Sequence, residues 1–209
     1  NVVVVEKALD EKKGQAEMMI CDSHSLSSLS KDWIEKVRKS GRYADCDWQG
    51  KVTVETETLD DLIATYGKPA FVKVDVEGYE EEVIQGLSQP VNYMCFEFTP
   101  EFIESAIGGV RHLARLGKVV FNYCSGTHPF KLALHRWVDA EQICSILEAA
   151  IGISDNVSFC IFANSEDTSC SSDRLRNQSS HIYSIQERIS IQLAVEVDQI
   201  MNDHIRTAA

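Results

Sequence analysis

An α/β fold built on an open sheet is what this sequence predicts. Short runs rich in Val, Ile, Phe and Tyr alternate with segments whose apolar residues recur at helical spacing. Helix start signals fall between them: Thr58 with Asp61, Thr99 with Pro100, Asp139 with Gln142. The run Phe71-Val-Lys-Val-Asp-Val-Glu-Gly-Tyr-Glu80 reads as a buried strand that ends on two carboxylates, then a glycine, then a helix. The carboxyl edge of such strands is where open α/β sheets take their ligands.

In chain order, Val2 to Lys7 is a β-branched run, Asp10 to Gly14 a turn, and Ala16 to Cys21 a returning strand. Ser23 to Ser30 is polar and reads as a loop. Lys31 to Lys39 carries Trp33, Ile34 and Val37 on one helical face, and Ser40 to Gly50 is irregular. Lys51 to Thr56 is a strand, followed by a helix capped by Thr58 and stopped by Gly67 and Pro69. A strand at 70–76 leads into a helix from Tyr79 to Gly86. Val91 to Phe98 is a further apolar strand, and Thr99-Pro100-Glu101 opens a helix closed by Gly117. Strands are expected at Val119–Cys124, Lys131–Trp137 and Val157–Ala163, with a helix from Asp139 to Ala150. The domain is bounded at 1–164, a polar Ser-rich linker at 165–180 and an amphipathic helix at 181–209, with Ile182, Ile185, Ile189, Leu193, Val197 and Ile200 on one stripe.

The formal net charge of −12 over 209 residues argues against a phosphate-backbone binder and against an anionic membrane surface. No apolar run is long enough to span a bilayer, and no signal-peptide pattern opens the chain. The seven cysteines are odd in number and lack any Cys-x-x-Cys pair, so neither a disulfide framework nor a structural zinc site is expected, and no metal site is assigned. Cys95, Cys124 and Cys160 sit in apolar strands as small hydrophobes. A reducing, cytoplasmic location is expected.

Alternation puts Lys73, Asp75 and Glu77 on one strand face and Val72, Val74 and Val76 on the other. Asp75 and Glu77 have two readings, a working site or a Lys73–Asp75 pair with Glu77 capping the next helix. Glu97 ends the following strand and either shares the crevice or bonds backbone near Thr99. Glu80, Glu81 and Glu82 fit a helix first turn, offsetting its dipole. His24 and His128 lie in expected loops, and no histidine spacing suggests zinc.

The pieces Thr58-Leu-Asp-Asp-Leu-Ile63, Phe71 to Glu80 and Phe96-Glu97-Phe98 together resemble the FkbM-type methyltransferase family. So do Val5 to Asp10 with Gly14 and Ala16-Glu17, and Ser27-Ser28-Leu29; the likeness covers residues 2 to 103. It implies a Rossmann-like class I methyltransferase sheet and an S-adenosylmethionine-dependent enzyme that methylates hydroxyls, here on a small molecule or glycan. By the same resemblance Asp75 lies beside the donor's methionine end, where it orients the acceptor, acts as base or ligates a cation. Glu77 and Glu97 are further catalytic candidates. Lys7 and Ala8 match the adenine position, and Ser27 and Ser28 match a segment lining the acceptor site.

The family's first two strands, with the glycine-rich turn, would precede Asn1. The chain therefore reads as the C-terminal part of such a domain, with a C-terminal helical extension. Weak or no donor binding and no activity of this chain alone, a poorly anchored Val2–Lys7 and exposed sheet edges are expected from that reading. Expected partners are the acceptor and, through the 181–209 helix, a second copy; nucleic acid is not among them. Two alternatives remain, a magnesium-dependent phosphoryl-transfer enzyme using Asp-x-Glu and a non-catalytic α/β binding module.

Overall fold

Local chemistry and long-range pairing divide the chain into two sheets with helices between and around them. The computed structural model describes residues 2–125, 132–149, 159–165 and 190–193. The first sheet holds Ala8–Leu9 (β1), Gly14–Ile20 (β2) and Gly50–Glu57 (β3), in the order β1-β3-β2. β2 and β3 pair antiparallel from Gly14↔Thr56 to Ile20↔Gly50, while β1 runs parallel to β3. Alternation sends Val52 and Val54 inward against Ala8, Met18 and Ile20.

The second sheet holds Phe71–Val74 (β4), Tyr93–Phe98 (β5), Val119–Ser125 (β6), Phe159–Ser165 (β7) and Ser190–Leu193 (β8), in the order β6-β7-β5-β4-β8. β4 and β5 are parallel with Val74 level with Phe96, and β7 runs antiparallel between β5 and β6. Val72, Val74 and Phe96 feed the main core. The opposite face is lined by Phe71, Cys95, Cys124, Cys160 and Phe162, so the three strand cysteines pack as the small hydrophobes expected of them.

The helices are Lys31–Ser40 (α1), Leu59–Tyr66 (α2), Glu80–Gln85 (α3), Ile103–Leu116 (α4) and Ala140–Ala149 (α5). Ser30 caps α1 by accepting from the Trp33 N–H, and Gly41 ends it in a left-handed conformation. Trp33, Ile34 and Val37 are buried, as their spacing predicts. Thr58 and Asp61 form the expected capping box on α2. Asp139 accepts from the Gln142 N–H before α5. α3 and α4 approach closely because Gly108 and Gly109 lack side chains; a Cβ at Gly108 would lie 2.1 Å from the Glu81 carboxylate.

Four expectations change. Val2 to Lys7 is not a strand; pairing begins at Ala8, and Val2, Val3 and Val4 are exposed, which agrees with poor anchoring of that end. Lys131–Trp137 is not a strand over its described part, 132–137. There the Asn122 side chain takes the Leu134 N–H and C=O in place of a regular ladder, the Ala133 N–H donates to the Tyr123 C=O, and Val138 bridges to Phe121. Thr99 makes no side-chain cap, and a 3-10 turn, Pro100–Phe102, precedes α4. Finally, residues 190–193 of the expected 181–209 helix form a strand.

β8 pairs parallel with β4, Phe71↔Ser190 through Val74↔Leu193, so the β4 edge is covered rather than exposed. Ile189, Ile191 and Leu193 alternate with Ser190 and Gln192, a period-two pattern that the helical stripe conceals. The rest of 181–209 and nearly all of the 165–180 linker lie outside the described residues. Among the described residues no helix is long and apolar enough to cross a membrane.

Replacing Thr58 by Ala removes one half of the α2 capping box. The expected loss is about 1 kcal/mol, read as a lower urea midpoint with an unchanged slope.

Candidate functional site

Between β4 and α3 the chain must turn sharply, and it does so through two consecutive left-handed residues, Glu77 at φ 52 and Gly78 at φ 83. A non-glycine residue in that region is strained and persists only where its surroundings hold it. Three contacts hold this one. Glu80 Oε1 accepts from the Val76 N–H at 3.2 Å and the Gly78 N–H at 3.3 Å. Ser28 Oγ donates to the Glu77 carbonyl at 2.6 Å. Trp33 packs on Gly78 so closely that a Cβ there would lie 2.1 Å from its ring. The indole is fixed in turn, since Trp33 Nε1 donates to Thr99 Oγ1 at 3.2 Å.

This turn brings the acidic side chains together. Asp75 is one residue beyond β4, and the parallel register sets it level with Glu97 on β5. Lys73, two residues back on the same face, forms an ion pair with Asp75. Glu77 feels Glu80, Asp75 and Glu97; burial first, then those charges, pushes its carboxyl up to about 9 against the opposing Lys73. Burial also pushes Glu80 up to about 8, although its backbone hydrogen bonds pull it down. Both groups therefore hold a proton at neutral pH. A protonated Glu77 does not serve as a base there.

Tyr43, half-buried in the loop after α1, packs against Trp33 and feels the Glu77 and Glu97 charges. Burial and then the Glu77 charge raise its phenol to about 12, so it remains a donor. Its loop is tied down by the neighbouring Arg42, whose Nε lies 2.9 and 3.0 Å from the two Glu101 oxygens. Burial raises Glu101, but the Arg42 bond and charge, its own backbone N–H and Ser40 together leave that carboxyl below its ordinary value.

The other sequence candidates fall elsewhere or do other work. Ser27 and Ser28 are both buried, and their hydroxyls serve backbone: Ser27 Oγ accepts from the Cys21 N–H, and Ser28 holds the Glu77 turn. Ala8 is buried in β1, and Lys7 is paired with Glu57 at 2.6 Å on the first sheet. Glu77 does not cap α3. Glu80 lies in the first turn of α3 as the sequence predicts, but it is 5% exposed and anchors the turn before the helix. Tyr43 and Arg42 come from a stretch with no periodicity, so no sequence signal marked them.

The family model described as the methyltransferase FkbM domain matches residues 9–120. The chain belongs to this family. The match covers more than half of the chain and runs from β1 into β6, so the FkbM domain includes Asp75, Glu77, Glu80 and Glu97. Lys7 and Ala8 lie just outside it. Neither the curated proteins nor the solved structures compared with it give a match. Membership of this family favours methyl transfer over phosphoryl transfer.

The raised carboxyls set a pH dependence for this FkbM domain. Both folded pKa values lie above the ordinary 4.5, so the folded state keeps protons that the unfolded chain releases. That contribution to stability is full below 4.5 and is lost as pH rises through about 8 and 9. Gln at position 80 keeps an oxygen for both N–H groups and removes one titration. Glu80→Gln is therefore expected to lose stability less steeply than the parent between about pH 5 and 8, measured as urea midpoint against pH.

Proposed function

We propose that this domain transfers a methyl group from S-adenosylmethionine to a hydroxyl of a small molecule or glycan. The observation that carries this reading is the convergence of Asp75, Glu77 and Glu97 at the carboxyl ends of two parallel strands, inside a methyltransferase family domain. The donor set suits the cofactor, because carboxylates favour a cationic sulfonium. S-adenosylmethionine supplies an electrophilic methyl carbon when bound. Asp75 and Glu97 are the residues that would face it.

The work left to the protein is positioning and one proton. A hydroxyl that becomes a methyl ether must release its proton, and Asp75 is placed to take it. Lys73 orients that carboxylate through the ion pair. Glu77 and Tyr43, both protonated at neutral pH, orient the acceptor oxygen by donating to it. Ser28 acts through the Glu77 backbone as a positioning residue.

The test uses methyl-labelled donor and a panel of hydroxylated acceptors, with donor affinity followed by calorimetry. Asp75→Asn is expected to cut transfer by about 10²–10⁴-fold while donor affinity changes far less. Transfer at the parent rate by Asp75→Asn would remove Asp75 from the chemistry.

A further inference from the structure

Away from the acidic turn, two loops bring together a set of soft and hard ligands that no local motif announces. Cys21 and Asp22 follow β2, and Cys46 lies in the loop between α1 and β3. The Cys21 Sγ, an Asp22 carboxylate oxygen and the Cys46 Sγ all lie within 4.8 Å of one another. Cys21 Sγ is 3.3 Å from Asp22 Oδ1. Two thiols and a carboxylate this close can reach one ion, with metal–sulfur bonds near 2.3 Å and metal–oxygen bonds of about 2.0–2.2 Å.

The loops that carry these groups are locked to one another. The Asp22 N–H donates to the Asp47 carbonyl at 3.0 Å, and the Asp47 N–H returns to Asp22 Oδ1 at 3.1 Å. The Ser23 N–H also donates to Asp22 Oδ1, at 2.8 Å. These bonds hold the Asp22 carboxylate beside the Cys21 thiol. The Cys46 N–H donates to the Tyr43 carbonyl at 3.0 Å, and Trp48 Nε1 donates to the Leu26 carbonyl at 2.7 Å. Cys21 is buried and Cys46 is half-buried, so the site has a dry side and an entry side.

We propose that Cys21, Asp22 and Cys46 bind one divalent ion of the zinc class. Thiolate with carboxylate selects a borderline-soft ion such as Zn²⁺ over Mg²⁺ or Ca²⁺. Two thiol protons leave to solvent, two metal–sulfur bonds and one metal–oxygen bond form, and nothing is oxidised. The fourth position goes to water. A bound ion would brace the loop that carries Arg42 and Tyr43. This inference does not depend on the methyl-transfer reading.

The full chain, reduced and stripped of metal, is titrated with Co²⁺ and then Zn²⁺. The expected result is a sulfur-to-cobalt charge-transfer absorption that saturates at about one equivalent and is bleached by Zn²⁺. Cys46→Ser abolishes the band, whereas Cys144→Ser, on α5, retains it. Asp22→Asn weakens Zn²⁺ binding at least about tenfold. In the parent chain Zn²⁺ also protects Cys46 from maleimide, read by peptide mass, which needs no variant to fold. A band that survives in Cys46→Ser, no band at all, or Cys46 alkylated equally with and without Zn²⁺ would each overturn the proposal.

Discussion

The carboxyl of Glu80 reaching back to the Val76 and Gly78 N–H groups is the interaction on which the candidate site depends. It closes a turn that contains a strained Glu77 and a glycine with no room for a side chain. An ionised group would bring severe desolvation into so buried a place, and the site resolves this by keeping the proton. The same proton makes the turn sensitive to pH. Strain, burial and titration at 75–80 are thus one physical arrangement seen from three sides.

Everything around the turn serves to keep it in place. β4 and β5 run parallel, so the ends that carry Asp75 and Glu97 emerge together. Glycines at 108 and 109 let α4 close onto α3 and the β5 core residue Phe96. α1 delivers Trp33 to the back of Gly78, and the indole is fixed by Thr99 from beyond β5. The two sheets therefore meet at the turn through α1 and Ser28, which joins the loop after β2 to the Glu77 carbonyl. A candidate site assembled this way draws its rigidity from elements distant in sequence.

Much of the scaffold was legible because short-range rules govern it. The Thr58 box, the buried stripe of α1 and the alternation of Val72 and Val74 against Lys73 and Asp75 all follow from local spacing. The site was legible only in part. Asp75, Glu77 and Glu97 sit at strand ends, a position that pattern reveals. Tyr43, Arg42 and the anchoring role of Glu80 depend on tertiary packing, which leaves no periodic trace. Glu80 illustrates the difficulty: a glutamate opening a helix has an ordinary surface explanation, and only its burial tells otherwise. At 190–193, two periods fit one short segment, and pairing with β4 selects the strand.

The most direct test of this account is a carbon-13 titration of the glutamate side-chain carboxyls followed by nuclear magnetic resonance, with Glu77 and Glu80 assigned by substitution. The account predicts that these two carboxyls titrate near 9 and 8, apart from the exposed glutamates. Titration of both near 4.5 would contradict it, because the turn would then hold ordinary solvated charges and not a buried protonated pair.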